Sequence, residues 1–306
     1  MNKFSPLKAV LAIAFFGANA ASGATDIPQL INFSVRAFAS GTSANELHAG
    51  FVIGGPRVKT VVIRVVGPTL ADPTFGVPGT MPDPELAVYN SESREIARND
   101  DWAATDANKL AMLQAGAYAI AAGGKDAAVV LDLPPGAYTI TAKPKGNTPA
   151  GVCQVEVYDL SYQRGQNRNV GSEIFNASIR LAGSTGSPII LGVIFAGDGV
   201  RNLLVRAAGP SLAAFGVTNV MANPRLLLLE KTPTGTVVLG RNSGWSTGNA
   251  TWATFDQVGA FRFPANSMDS ALVAPVTVKG PTRRDVFIED NGNGNALAEL
   301  YVIQNR

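Results

Sequence analysis

Three oxygen-bearing side chains in a row, Asn99-Asp100-Asp101, form the densest cluster of hard ligands in the chain. Ca²⁺ prefers such carboxylates and carbonyls, so the run is a candidate calcium site. The same triplet is also ordinary turn chemistry, with side chains bonding their own backbone. Asp100, Asp101, Asp126 and Asp132 are the carboxylates available for glycoside hydrolysis, but that mechanism requires a set separation that sequence spacing does not supply. Acyl transfer needs a nucleophile, a base and an orienting acid. The one histidine, His48, lies in a Gly- and Ser-rich neighbourhood and reads as a solvated loop residue. With no zinc-ligand spacing and no Gly-rich phosphate loop either, the residues argue against an enzyme.

Two other residue types carry weight. Trp102 and Trp245 stand beside turns and fit either a sugar-stacking platform or, the preferred reading, plugs over the open end of a β-sandwich. Trp252 has no counterpart and is the candidate for an exposed ligand contact. Arg64 lies within VVIRVVGPTL and Arg206 within LLVRAAGPSL. On a strand Arg64 shares a face with Val62 and Val66, and a strand apolar on both faces is central. A guanidinium there is partly buried and must be paired. Glu156 and Glu299, in the last apolar run of each half, are the expected partners, with Asp126 and Asp269 second. Cys153 alternates into register with Val155 and Val157 and reads as a buried thiol.

These residues belong to a chain that repeats itself at an offset of about 140 to 144 residues. Ser34-Val-Arg36 meets Ser178-Ile-Arg180, and Phe75-Gly-Val77 meets Phe215-Gly-Val217. Trp102 falls on Trp245, Gly116-Ala-Tyr118 on Gly259-Ala-Phe261, Asp126 on Asp269, and Glu156-Val-Tyr158 on Glu299-Leu-Tyr301. Short runs rich in Val, Ile and Tyr, cut by turns such as Pro134-Pro-Gly136, give the fold class. It is all-β, with two tandem antiparallel β-sandwich, jelly-roll-like domains. One short helix is expected at Thr105 to Gln114. The expected organisation is a leader at 1–24, copy one at 25–160, a polar linker at 161–172 and copy two at 173–306, each copy folding alone.

The leader reading rests on Lys3 and Lys8, an apolar run from Ala9 to Gly17 and small residues up to Ala24, the pattern of a secretory signal peptide. Without those two lysines the 25 basic residues fall to 23, equal to the 23 acidic ones. A nucleic-acid partner then loses its electrostatic motive. No window is long and uncharged enough for a membrane-spanning helix. Export to the periplasm, cell surface or outside is expected, with a lone cysteine and no intrachain disulfide.

The cadence Glu85-Leu-Ala-Val-Tyr89, Arg94 to Trp102, Asp126 to Leu131 and Leu133-Pro-Pro-Gly-Ala-Tyr-Thr-Ile140 resembles the bacterial pre-peptidase C-terminal domain and related jelly-roll modules of secreted proteins. It is also similar to duplicated Gly-Pro-Ser-Leu β-sandwich modules of exported bacterial proteins. The first resemblance implies calcium in the acidic turn of copy one. Copy two departs from it at Asn242-Ser-Gly-Trp245 and at Gly280-Pro-Thr-Arg283. The function expected from these readings is a non-catalytic binding or structural protein of the envelope, in adhesion or surface assembly. Its partner would be an extracellular polysaccharide or protein, and a carbohydrate-binding module is the alternative.

Overall fold

The computed structural model describes residues 27–40, 47–163, 171–183, 188–289 and 293–304. The expected leader and residues 164–170 of the expected linker lie outside them. Copy one supplies β1 (Gln29–Ala39), β2 (Leu47–Gly54), β3 (Lys59–Val66), β4 (Pro84–Asn90), β5 (Glu95–Asn99), β6 (Ala127–Leu133), β7 (Gly136–Pro144) and β8 (Gly151–Asp159). Copy two repeats the set as β9 (Glu173–Gly183), β10 (Ile189–Ala196), β11 (Asp198–Ala208), β12 (Arg225–Thr232), β13 (Gly235–Asn242), β14 (Ser270–Lys279), β15 (Thr282–Glu289) and β16 (Gly294–Ile303). All ladders are antiparallel. Among the described residues three short α-helices accompany them: α1 (Asp106–Gln114), α2 (Leu160–Gln163) and α3 (Trp252–Val258).

Local chemistry explains the elements. Strand β2 alternates buried Leu47, Ala49, Phe51 and Ile53 with outward His48, Gly50 and Val52, the period of a half-covered strand. His48 is therefore a strand residue, and the loop expected from its small polar neighbours is corrected by this alternation. Helix α1 starts where Thr105 Oγ1 accepts the Asn108 N–H at 3.2 Å and stops before Gly116 at φ +66°. In copy two, the departure at Gly280-Pro281 is absorbed by a turn, and β15 takes the place of β7 between β10 and β12.

The ladders join into two runs of strands. One reads β5-β4-β7-β2-β9-β16-β11-β14 and the other β13-β12-β15-β10-β1-β8-β3-β6, with Leu30 meeting Ile174 between them. Each run is half copy one and half copy two. Strand β1 pairs with β8 of its own copy along one edge and with β10 of the other copy along the other. Strand β9 reciprocates, pairing with β16 and with β2. The inner faces fill one continuous core in which Phe33 and Phe51 of copy one share a cluster with Ile179, Val193 and Phe195 of copy two.

A copy taken alone would leave the β1 and β2 edges open and would strip apolar surface from a shared core, both unfavourable in water. The expected outcome is that a chain carrying a protease site within 164–170 stays one particle after cleavage. Its two pieces should co-elute on gel filtration and separate only in denaturant. Two separately folded pieces eluting alone would show that the exchanged ladders are dispensable.

Candidate functional site

Strand β3 runs between β6 and β8, so its outward residues lie beneath the loop layer of copy one. There Arg64 is fully buried. Its Nε donates to Glu156 Oε2 at 2.9 Å, its Nη2 donates to the same oxygen, and its Nη1 donates to the Tyr118 carbonyl at 2.7 Å. Glu156 Oε1 accepts from Gln154 Nε2 at 2.8 Å and from the Tyr158 hydroxyl at 3.0 Å. The guanidinium lies 4.3 Å from the Tyr118 ring centroid. Burial alone would lower the Arg64 pKa, but the field and hydrogen bonds of Glu156 outweigh it and hold the pKa above its ordinary value.

Copy two repeats the placement with different contacts. Arg206, also fully buried, lies 3.2 Å from Glu299 Oε2 without hydrogen-bond alignment. Its Nη1 donates to the Phe261 carbonyl at 2.8 Å. Three rings surround it, Phe255, Phe261 and Phe263, at 4.6, 4.3 and 4.1 Å from centroid to guanidinium carbon. Copy one thus holds its charge mainly by hydrogen bonds and copy two mainly by aromatic faces.

Asp126 and Asp269 do not pair with these arginines. Asp126 Oδ1 accepts the Gly67 N–H at 2.8 Å and its Oδ2 accepts the Thr69 hydroxyl. Asp269 likewise holds the Gly209 N–H and the Ser211 hydroxyl. This accounts for the repeated Gly-Pro-Thr/Ser-Leu: a hydroxyl and backbone donors satisfy a buried carboxylate. The Met81 and Met221 carbonyl oxygens lie 2.2 Å from where a Cβ on residue 67 or 209 would sit, so only glycine fits.

The acidic turn separates rather than converges. Asn99 Oδ1 accepts the Ala128 N–H at 2.9 Å and its amide donates to the Asp101 carbonyl at 3.0 Å. Asp101 pairs with Lys125 at 2.8 Å, while Asp100 pairs with Lys145. Among the described residues no group of three or more His, Cys, Asp or Glu side chains is gathered for a metal. Asn242 makes the same clamp in copy two, to the Ala271 N–H and the Gly244 carbonyl. Sequence reading missed this structural asparagine, although the repeat aligns Asn99 with Asn242 while discarding both aspartates.

Trp102 and Trp245 are both buried, each Nε1 donating at 2.8 Å to a carbonyl, of Ala121 and Pro264 respectively. Trp252, the first residue of α3, is 43% exposed. Its Nε1 donates to the Phe263 carbonyl at 2.9 Å, and the Arg262 guanidinium lies 6.0 Å from its ring. A buried Lys59–Asp159 pair at 2.6 Å was also missed, because Lys59 reads as the polar start of a strand.

No family model and no curated protein matches the chain. Among solved structures, the tandem CBM51 modules of the family 98 glycoside hydrolase of Streptococcus pneumoniae align with it at 8% identity. The match covers 89% of this chain and 81% of that one, with a TM-score of 0.21, too slight to bear on fold or function. Among the described residues no helix is long and apolar enough to cross a membrane.

Removing one partner of a buried ion pair leaves an uncompensated charge, at a cost of about 3 to 5 kcal/mol. Arg64→Ala is expected to lose that much in chemical denaturation, and a double-mutant cycle with Glu156→Gln should show strong coupling. The Arg206–Glu299 cycle should couple less, since aromatic contacts survive loss of the carboxylate. Burial pushes the Cys153 thiol up to about 12. A raised pKa means that the native state keeps its proton, so this stabilisation is complete below about pH 9 and is lost as pH rises towards 12. Against a Cys153→Ala variant, the parent should lose relative stability only across that window, and native Cys153 should resist thiol reagents at pH 8.

Proposed function

We propose that the chain is an exported, non-catalytic binding or structural protein acting in adhesion or surface assembly. The observation that carries this reading is the disposition of its charges and apolar groups. The carboxylates and guanidiniums at the centre of each copy are consumed in buried pairs and loop clamps. Large apolar side chains are meanwhile exposed at the loop layer of copy two, where Trp252 is 43% and Phe215 63% exposed. A scaffold that spends its polar chemistry on rigidity and presents aromatics is suited to binding. Two copies locked in shared ladders hold their surfaces at a fixed spacing, which favours attachment to an extended polymer.

Carbohydrate binding is the second reading, and Trp252 favours it. Its indole N–H is already committed to a carbonyl, so the ring is fixed and its exposed face is free for the C–H face of a sugar. Trp252→Ala is expected to lower binding to a responsive glycan on an array about tenfold, equivalent to about 1.4 kcal/mol, with the β-type circular dichroism spectrum retained. Unchanged glycan binding would remove Trp252 from the contact, and an array without any responsive glycan would favour a protein partner.

A further inference from the structure

A second constellation lies on the outer face of a sheet, where the sheet emerges from under the loop layer. In copy two a cleft of about 490 Å³ is lined by Arg180, Leu212, Phe215, Val217, Phe261 and Leu297, among others. Arg180 of β9 and Leu297 of β16 are cross-strand neighbours and form part of its floor. Phe215 and Phe261 form a wall, edge to face with centroids 4.9 Å apart. Behind Phe261 stands the buried Arg206 guanidinium, 4.3 Å from the ring centroid, which fixes the wall to the core. Arg180 is half-buried, and among the described residues no carboxylate pairs with it.

Copy one carries the same residue types without joining them in one cleft. Arg36 stands at the position of Arg180, and Phe75 and Tyr118 pack with centroids 4.7 Å apart. Arg64 lies behind Tyr118 at 4.3 Å. Arg36 is also half-buried and without a carboxylate partner among the described residues. The cleft that Arg36 lines holds Phe38, Leu47, Leu181 and Ile189, and neither Phe75 nor Tyr118. The Tyr118 hydroxyl is buried with no hydrogen-bond partner.

Elsewhere this chain pairs its buried arginines with acids, so the half-buried Arg180, left without one beside an aromatic pair, is open to an external anion. A guanidinium takes a carboxylate through two parallel N–H bonds, and the rings take the apolar face of whatever carries it. We propose that the Arg180 cleft binds a carboxylate carried on a ring with an apolar face, the chemistry of a uronic-acid residue. A neutral sugar lacks the anion and a free phosphate lacks the apolar face. The proposal deepens the binding reading but uses residues other than Trp252.

The test is titration calorimetry on the full chain with trigalacturonate, its methyl ester and phenylacetate. The parent is expected to bind trigalacturonate and not the ester. Arg180→Gln should weaken binding at least tenfold with the melting temperature unchanged, while Arg180→Lys keeps part of the affinity and Arg36→Gln leaves binding as in the parent. Phenylacetate binding in place of trigalacturonate, lost in Arg180→Gln, would also support the cleft and assign it to a small aryl acid. Binding that persists in Arg180→Gln, or no binding of either acid, would overturn the proposal. In that event a neutral glycan that still binds and is lost in Trp252→Ala would leave the binding reading intact, whereas absence of both would remove both.

Discussion

A guanidinium at the middle of a central strand is tolerated only where the neighbouring elements turn polar groups or aromatic faces towards it, and this requirement organises both copies. In copy one Arg64 gathers the last strand through Glu156, the loop after α1 through the Tyr118 carbonyl, and α1 itself, with the Met112 sulfur 4.0 Å away. The outer layer is therefore docked by a charge, with Trp102, Leu70 and Ile120 sealing it from water. Low local dielectric strengthens each of these bonds and penalises each one left unmade. The layer has one arrangement that satisfies the arginine, so the same residue fixes the surfaces that the loops present outside. Phe261 shows this directly: its carbonyl accepts from Arg206, its ring covers the same guanidinium, and its edge meets exposed Phe215.

The exchange of first strands adds a second constraint. Because β1 and β2 lie in different sheets and each finds a partner in the other copy, neither sandwich closes by itself. A duplicated sequence makes this arrangement accessible, since β9 carries nearly the same pattern as β1 and offers an equivalent edge. Joining the copies in one chain then favours intramolecular exchange through high effective concentration. The result places Arg36 and Arg180 at equivalent strand positions on opposite sheets.

Much of this was legible in the sequence, for definable reasons. The Arg64–Glu156 contact follows from strand period and from the cost of an unpaired buried charge, and the repeat narrows the partner to residues present in both copies. The helix over Asp106–Gln114 was announced by Thr105 and Gly116. The exchange was not legible, because pairing β1 with β10 instead of β2 leaves every hydrophobic pattern unchanged; only the three-dimensional closure decides. The acidic triplet misleads for another reason. Asn99 is held by backbone groups distant in sequence, and the lysines that separate Asp100 from Asp101 come from residues 125 and 145. Composition reveals neither.

The differences between the copies follow a direction. Copy one closes its outer edge with β5, whose Arg98 pairs with Glu95 on the same strand and with Glu85 on the neighbouring one. Charges on an edge strand discourage pairing with another chain. Its counterpart β13 exposes Val237 and Val238, with no charge between Gly235 and Gly240. The arginine sites differ in the same sense: four donors converge on Glu156, whereas Arg206 is wrapped by rings, one of which meets exposed Phe215. Exposed large apolar side chains are nevertheless found in both copies, with Phe38, Leu110 and Leu113 in copy one and Phe215, Val237 and Trp252 in copy two. The copies therefore differ at their edges and around their buried arginines rather than in overall polarity. In a scaffold whose halves share two sheets, neither half can open its exchanged strand without disturbing its partner.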